Sequence, residues 1–352
     1  MSTFVPSHWP AIRGALLALT AAVLFGVSTP LVQRFGSGVG PFTTAALLYA
    51  GAALAGALLR RRVEREAQLS RKDIPRLLAI AAAGAVVGPV AFAWGLQRTS
   101  GTSASLMLTL EAVFTAVLAW LFYRESVGRR VWLAMSLLLA GGAALIVDRS
   151  RDAGAGLLGL LAVLVATAAW GLDNTLSRAL AERDPGQVVV AKALLGAAAT
   201  SLLVVGFAES LPSLVPAIAL VAVGATGYGL SLRFYLLAQR AFGAARTGSA
   251  FAFAPFIGAA LAVAMGDHSA GWLMALGGGL MLTGVVLHLT ETHGHEHVHE
   301  ALEHEHAHVH DDGHHDHMHD PMPEGSHSHL HRHEPRHHTH PHVPDAHHTH
   351  HH

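Results

Sequence analysis

Four ionisable side chains interrupt otherwise apolar stretches: Glu111, Asp173, Lys192 and Arg233. In hydrocarbon each costs roughly 2.5–3.5 kcal/mol on insertion scales, so each needs a partner, a wet cavity or a route to the surface. Glu111 falls near the middle of the run 101–123, where a carboxylate cannot reach an interface. It could bind a cationic group or exchange a proton; the competing reading is a salt bridge to Arg233 that only locks the bundle. Asp173 shares a helical stripe with Ala166, Ala169, Trp170 and Ser177, with Asn174 beside it. An acid, an aromatic and a hydroxyl on one stripe suit a cavity wall, while the alternative is an ion pair with Arg178 or Lys192. Lys192 and Arg233 have long stems that could carry their charges to an interface, and Tyr228 and Tyr235 flank Arg233. The candidate substrate-binding set is therefore Glu111, Trp170, Asp173, Asn174, Lys192, Tyr228 and Arg233.

Different chemistry lies in residues 293–352, which hold 25 of the 28 histidines. His293, His295, His297 and His299 alternate with other residues, as do His304, His306, His308 and His310; His314, His315, His317 and His319 follow. Neutral imidazole is a good ligand for Zn²⁺, Ni²⁺, Co²⁺ and Cu²⁺, so this segment is expected to bind such ions. Its acids and prolines and its few large apolar residues predict a disordered tail. Only the closing HHTHHH looks like a purification tag. No cofactor is required by the remainder of the chain.

The elements that must position the buried charges are membrane helices. Half of the 352 residues are hydrophobic and 13% are charged, and the tail holds much of the polar share. A soluble domain of this size would need charged helix faces, which these runs lack. There are no cysteines, so neither disulfides nor thiolate metal sites arise. Before the tail, Lys and Arg outnumber Asp and Glu by 21 to 13; within it the balance is 2 to 11.

A bilayer core needs about 20 apolar residues per helix. Runs and breakers predict ten spans, near 12–33, 41–60, 75–97, 101–123, 130–147, 156–180, 186–207, 214–238, 242–266 and 270–290. The predicted fold is an all-α integral membrane protein of two inverted five-helix repeats, residues 1–148 and 149–292, followed by the tail, 293–352. An odd number of spans per repeat makes the copies inverted. Basic residues crowd loops 2–3, 4–5 and 6–7, for example Arg60, Arg61, Arg62, Arg129, Arg130 and Arg183. The positive-inside rule then makes both termini, and the tail, cytoplasmic. Nothing at the N-terminus reads as a cleaved signal. Pro30, Pro89 and Pro255 fall inside spans and should bend or loosen them.

The duplication is visible directly. At an offset of 142, Gln97-Arg98 meets Gln239-Arg240, Gly101 meets Gly243, Phe114 meets Phe256 and Glu125 meets Asp267. Gln97 and Gln239 are expected to bond helix ends, and Glu125 and Asp267 to cap the helices that follow them. In TSASLMLTLEAVFTAVLAWLFYRES and GAARTGSAFAFAPFIGAALAVAMGD the chain resembles the EamA family of the drug/metabolite transporter superfamily, over roughly residues 12–290. Ala169-Trp170 resembles a pair common in that family's half-opening helices. Ala112 stands where the first copy's pattern has proline, and Pro255 sits one place late in the second. The resemblance implies transport of amino acids, sugars, nucleotide conjugates or drugs, often outward.

Three functions follow for weighing. The first is a secondary transporter, an exporter of a small organic solute, in the inner or plasma membrane, with the lipid bilayer and the solute as partners and a homodimer left open. The second is a divalent-metal transporter whose tail collects or senses cargo; against it, no histidine lies deep in a span. The third is a membrane enzyme or scaffold, which no nucleophile–base signature or phosphate loop supports. Nothing suggests a nucleic-acid partner.

Overall fold

The computed structural model describes residues 9–59, 68–123, 128–150, 155–177, 180, 183–242, 244–267 and 271–289, and in the tail 293–299, 302–308, 327–333 and 336–342. Up to residue 289 it is helical: α1 (Trp9–Phe35), α2 (Pro41–Leu59), α3 (Ile74–Ala81), α4 (Gly88–Leu96), α5 (Gly101–Met107), α6 (Glu111–Tyr123) and α7 (Arg129–Ser150) precede the chain midpoint. Then come α8 (Ala155–Ser177), α9 (Pro185–Gly206), α10 (Leu214–Val223), α11 (Ser231–Phe242), α12 (Ala244–Phe251), α13 (Ala254–Ala264) and α14 (Trp272–Leu289).

Eight helical stretches are long and apolar enough to cross a membrane: 13–35, 41–59, 71–96, 101–123, 129–148, 156–177, 186–206 and 214–238. They match the first eight predicted spans to within a few residues. Two shorter apolar helices, Ala254–Ala264 and Trp272–His288, fall in the last two. The outward surface suits lipid: Leu58, Leu202, Val215 and Trp272 are 75%, 73%, 72% and 68% exposed, an arrangement that water would penalise.

Several spans are not continuous α-helix. Between α3 and α4 the chain widens into a π-helical turn, Ala82–Val87, and between α10 and α11 into another, Gly224–Leu230. These starts are 142 residues apart, the same offset as the sequence repeat. Between α5 and α6 the chain tightens to a 3₁₀ turn at Leu108–Leu110, and α12 breaks from α13 at 252–253, again about 142 residues on. Pro255 lies in the first turn of α13, where its missing N–H costs no helical bond. The matching break before Glu111 occurs without proline. Pro89 likewise begins α4, whereas Pro30 sits inside uninterrupted α1.

The helices pack in pairs: α2 on α9, α7 on α14, α5 on α13, α1 on α11 and α4 on α8, with α6 also on α8 and α13 on α1. Small residues allow the close approaches. A Cβ on Gly224 would strike the Leu48 backbone, and one on Gly51 the Val221 carbonyl, so α2 meets the second π-helical turn almost backbone to backbone.

At one end of the bundle polar groups stitch helix ends together. Glu209, after α9, accepts from the backbone N–H of Phe42 (3.2 Å) and Thr43 (2.8 Å) and from the Thr43 hydroxyl, at the start of α2. Asp267, after α13, accepts from the Thr102 N–H (2.9 Å) and hydroxyl (2.8 Å), at the start of α5. Asp267 thus caps a helix of the first half, whose N-terminus lies beside it and offers unpaired N–H groups; residues 268–270, between it and α14, lie outside the described residues. Glu125 lies outside the described residues. Gln97 binds the carbonyls of Gly36 and Val39, as expected of a helix-end residue, and Gln33 those of Leu96 and Thr99. The side chain of Gln239 is outside the described residues. At the opposite end Arg183 pairs with Asp73 at 3.1 Å, and Gln187 accepts from the Leu69 N–H.

In the tail, β1 (His293–His299) pairs antiparallel with β4 (Arg336–His342), and β2 (Leu302–His308) with β3 (His327–His333). Composition predicts no regular structure there; histidine at every second position is nonetheless a two-residue period that a strand accommodates. His310, His314, His315, His317 and His319 lie outside the described residues, and of the other candidate metal ligands only backbone pairing is described.

Candidate functional site

The candidate residues of the membrane region converge on one place, where α8 meets the first π-helical turn and the α5–α6 break. Gly84 and Gly88 make room for it. A Cβ on Gly88 would lie 2.6 Å from the Trp170 indole nitrogen, and one on Gly84 would overlap the Asp173 carboxylate. Two glycines four apart on span 3 therefore receive two residues three apart on α8. The Trp170 N–H donates to the Gly84 carbonyl at 3.0 Å, and the Tyr49 hydroxyl donates to the same oxygen. A widened turn leaves a carbonyl free for such side-chain bonds.

Asp173 is 5% exposed. Its carboxylate forms an ion pair with Lys192 of α9 and accepts from the Ser177 hydroxyl at 3.3 Å. Of the two pairings open in the sequence, the structure forms the one with Lys192; Arg178 lies outside the described residues. Lys192, its side chain 15% exposed, is thus held inside the bundle rather than extended to an interface. A buried pair of this kind is costly to split, because either partner alone would be an uncompensated charge.

Glu111 begins α6, and its carboxylate accepts from the Asn174 amide at 2.6 Å. No ion pair joins it to Arg233 among the described residues, which removes the structural salt bridge weighed from the sequence. Arg233, half-buried on α11, pairs with no acid among them. Glu111 is half-buried and Asn174 is exposed, although both lie inside apolar spans. A carboxylate–amide pair facing lipid would bear the full transfer cost, which marks this pair as the least explained polar group of the bundle.

Aromatic rings surround this region. Phe25 of α1 touches Trp170 (6.5 Å between centroids), Tyr228 (6.0 Å) and Phe251 (5.4 Å). Phe92 packs edge-on to Trp170 at 5.3 Å, and Tyr49 lies 5.9 Å from Tyr228. Tyr235 instead stacks its edge on Phe251 at 5.0 Å. The Tyr228 hydroxyl is buried beside Ser28 without a hydrogen-bond partner of standard geometry, while Ser28 donates to the Phe25 carbonyl.

Six of the seven sequence candidates, Glu111, Trp170, Asp173, Asn174, Lys192 and Tyr228, thus fall in one connected neighbourhood, and Arg233 forms no ion pair with it among the described residues. Sequence reasoning missed Phe25, Tyr49, Phe92 and Phe251, which look like core aromatics along a single helix. Gly84 and Gly88 carry no sequence signal beyond a small-residue spacing that lets helices pack closely. Among the described residues, no group of three His, Asp or Glu side chains is placed to hold a metal ion.

Comparison with known proteins agrees with this architecture. The chain is 27% identical over 296 residues to an uncharacterized transporter of Methanothermobacter thermautotrophicus, covering 78% of this chain and 85% of that protein. A solved crystal structure aligns with a TM-score of 0.55 at 18% identity, over 78% of this chain and 95% of the other, a likeness of fold alone. The model of the EamA-like transporter family matches twice, at residues 12–147 and 157–290. With both halves matched, this multi-pass membrane protein belongs to the EamA-like transporter family.

Proposed function

We propose that the chain is a ten-span secondary transporter that exports a small organic solute by alternating access between two inverted five-helix repeats. The observation that carries this reading is a symmetry of packing. Numbering the spans one to ten, span 1 packs on 8 and span 3 on 6, spans 2, 4 and 5 on 7, 9 and 10, and span 1 on 9 as 6 on 4. Adding five to every number returns the same pairs, as two equivalent halves require. The site lies at this inter-repeat junction: Glu111 belongs to the first half, and Trp170, Asp173, Asn174, Lys192 and Tyr228 to the second.

In this reading Glu111 and Asn174 face the solute, Trp170 and Tyr228 form apolar walls, and the Asp173–Lys192 pair fixes α8 against α9. The arginine-rich loops support cytoplasmic termini in the cell membrane. Gln33, Gln97, Glu209 and Asp267 then close the external end, and the solute is taken to reach Glu111 and Asn174 from the inner side, where an exporter loads. Counterflow in proteoliposomes, screened over amino acids, nucleosides, sugars and drugs, tests the proposal. Exchange of at least one class, abolished by Glu111→Gln in a protein that remains folded, is expected; no exchange of any class sinks it.

A further inference from the structure

We propose that the solute of this site is an organic monocation, its charged group against Glu111 and its apolar body against Phe25, Trp170 and Tyr228. This deepens the transport reading and rests on it for the solute's movement, though not for its binding.

Three independent observations point to that ligand. The first is charge. The site holds two carboxylates, Glu111 and Asp173, against one ammonium, Lys192, and the ammonium is engaged by Asp173. Glu111 is met only by an uncharged amide, so the site carries an uncancelled negative charge whenever Glu111 is ionised. The second is the surface beside it. Phe25, Tyr228 and Phe251 are each half-buried, although they belong to three different spans and Phe25 touches both of the others. Phe25 and Tyr228 pack against the core, and Tyr228 lies within electrostatic reach of Glu111. Aromatic faces attract a cation but not an anion. The third is the Tyr228 hydroxyl, which meets only Ser28 and not at standard geometry, so a ligand entering between spans 1 and 8 would complete its bonding.

The arrangement disfavours other classes. A carboxylate or phosphate solute would meet Glu111 without a free cation, because Lys192 is held by Asp173. A neutral solute would leave the Glu111 charge unanswered. A carboxylate met by one amide is also a place where a proton and a cation compete. The charged and titratable groups near enough to influence Glu111 are Asp173 and Lys192, with the Tyr49 and Tyr228 hydroxyls. None of them is a cation free to replace either competitor.

The test uses the full chain in detergent and radiolabelled benzyltrimethylammonium, whose charge is permanent. The competitors are phenylacetate, which is anionic, and neopentylbenzene, in which carbon replaces the charged nitrogen. Saturable cation binding that neither competitor displaces is expected. Affinity should fall roughly tenfold or more in Glu111→Gln, and should fall as pH is lowered through the range in which the carboxylate takes up a proton. Absence of cation binding, equal displacement by phenylacetate or neopentylbenzene, or unchanged affinity in Glu111→Gln each overturns the assignment. If Glu111→Gln does not fold, the pH titration of the unmodified chain decides: a cation held by aromatic faces alone keeps its affinity as pH falls. A counterflow arm separates this inference from its parent. Cation binding without exchange of any solute defeats transport and leaves the site assignment standing. Exchange confined to anions or zwitterions leaves transport standing and overturns the cation.

Discussion

The Asn174 amide lies 2.6 Å from the Glu111 carboxylate, so the one carboxylate near the middle of the fourth span is held by a neutral group from the opposite half of the chain. One residue earlier on α8, Asp173 takes the ammonium of Lys192. Neighbouring side chains on one helix thus divide the work: one neutralises a buried charge, and the other orients a second carboxylate without neutralising it.

This division gives unequal mutational costs. Splitting a buried ion pair costs about 3–5 kcal/mol, and replacing both partners by apolar groups can be neutral. Asp173→Asn or Lys192→Met alone should markedly lower the melting temperature in detergent, while Asp173→Leu with Lys192→Met should recover most of it. Glu111→Gln should leave stability nearly unchanged, because its partner amide can turn to meet it. Equal losses from Glu111→Gln and Asp173→Asn would contradict the division.

The glycines of span 3 give a second test. A Cβ at Gly88 meets the Trp170 indole, and overpacking of this kind costs typically 1–3 kcal/mol. Gly88→Ala should therefore destabilise the protein by about that much, and Trp170→Leu should relieve it by vacating the space. Gly279, where an added methyl would meet nothing within 4 Å, serves as control: Gly279→Ala should be neutral within about 0.5 kcal/mol. Thermal unfolding of the three variants checks the pattern.

Much of this was legible in the chain itself. Apolar run length located eight membrane-length helices to within a few residues, because hydrocarbon thickness dictates length irrespective of tertiary contacts. Four of the site residues, Glu111, Asp173, Asn174 and Lys192, were readable for a related reason: a charge or amide in an apolar run must be explained. Their pairing was not, since Arg233 and Asn174 are equally plausible partners for Glu111 until the helices are placed. The widened turns at Ala82–Val87 and Gly224–Leu230 were hidden too. Runs of small residues are compatible with plain α-helix, and only the contacts of Asp173 and Trp170 at the first turn, and of Leu48 and Ser28 at the second, show what lies against them.

Topology offers a third prediction, and the absence of cysteine makes it clean. Single cysteines at Ser37 and at Asp152 should react with an impermeant maleimide added outside intact cells. Cysteines at Glu66 and beyond residue 292 should react only after lysis. This follows from the arginine asymmetry of the loops. Labelling of position 152 from the cytoplasm alone would break the inverted relation of the halves.

The tail can be separated from transport. Twelve of its spaced imidazoles, from His293 to His319, are offered as ligands for Zn²⁺ or Ni²⁺, so the full chain should bind several ions. Affinity should weaken as pH falls through about 6.5, because protonation removes the lone pair that coordinates the metal. A chain ending near residue 292 keeps both family-matched halves and every residue of the site around Glu111. It should lose this metal binding yet still insert and exchange its organic solute at a comparable rate. Metal then modulates or accompanies transport instead of being its cargo. Loss of organic-solute exchange on truncation, with metal resistance conferred only by the full chain, would reverse that conclusion and make the tail part of the transport path.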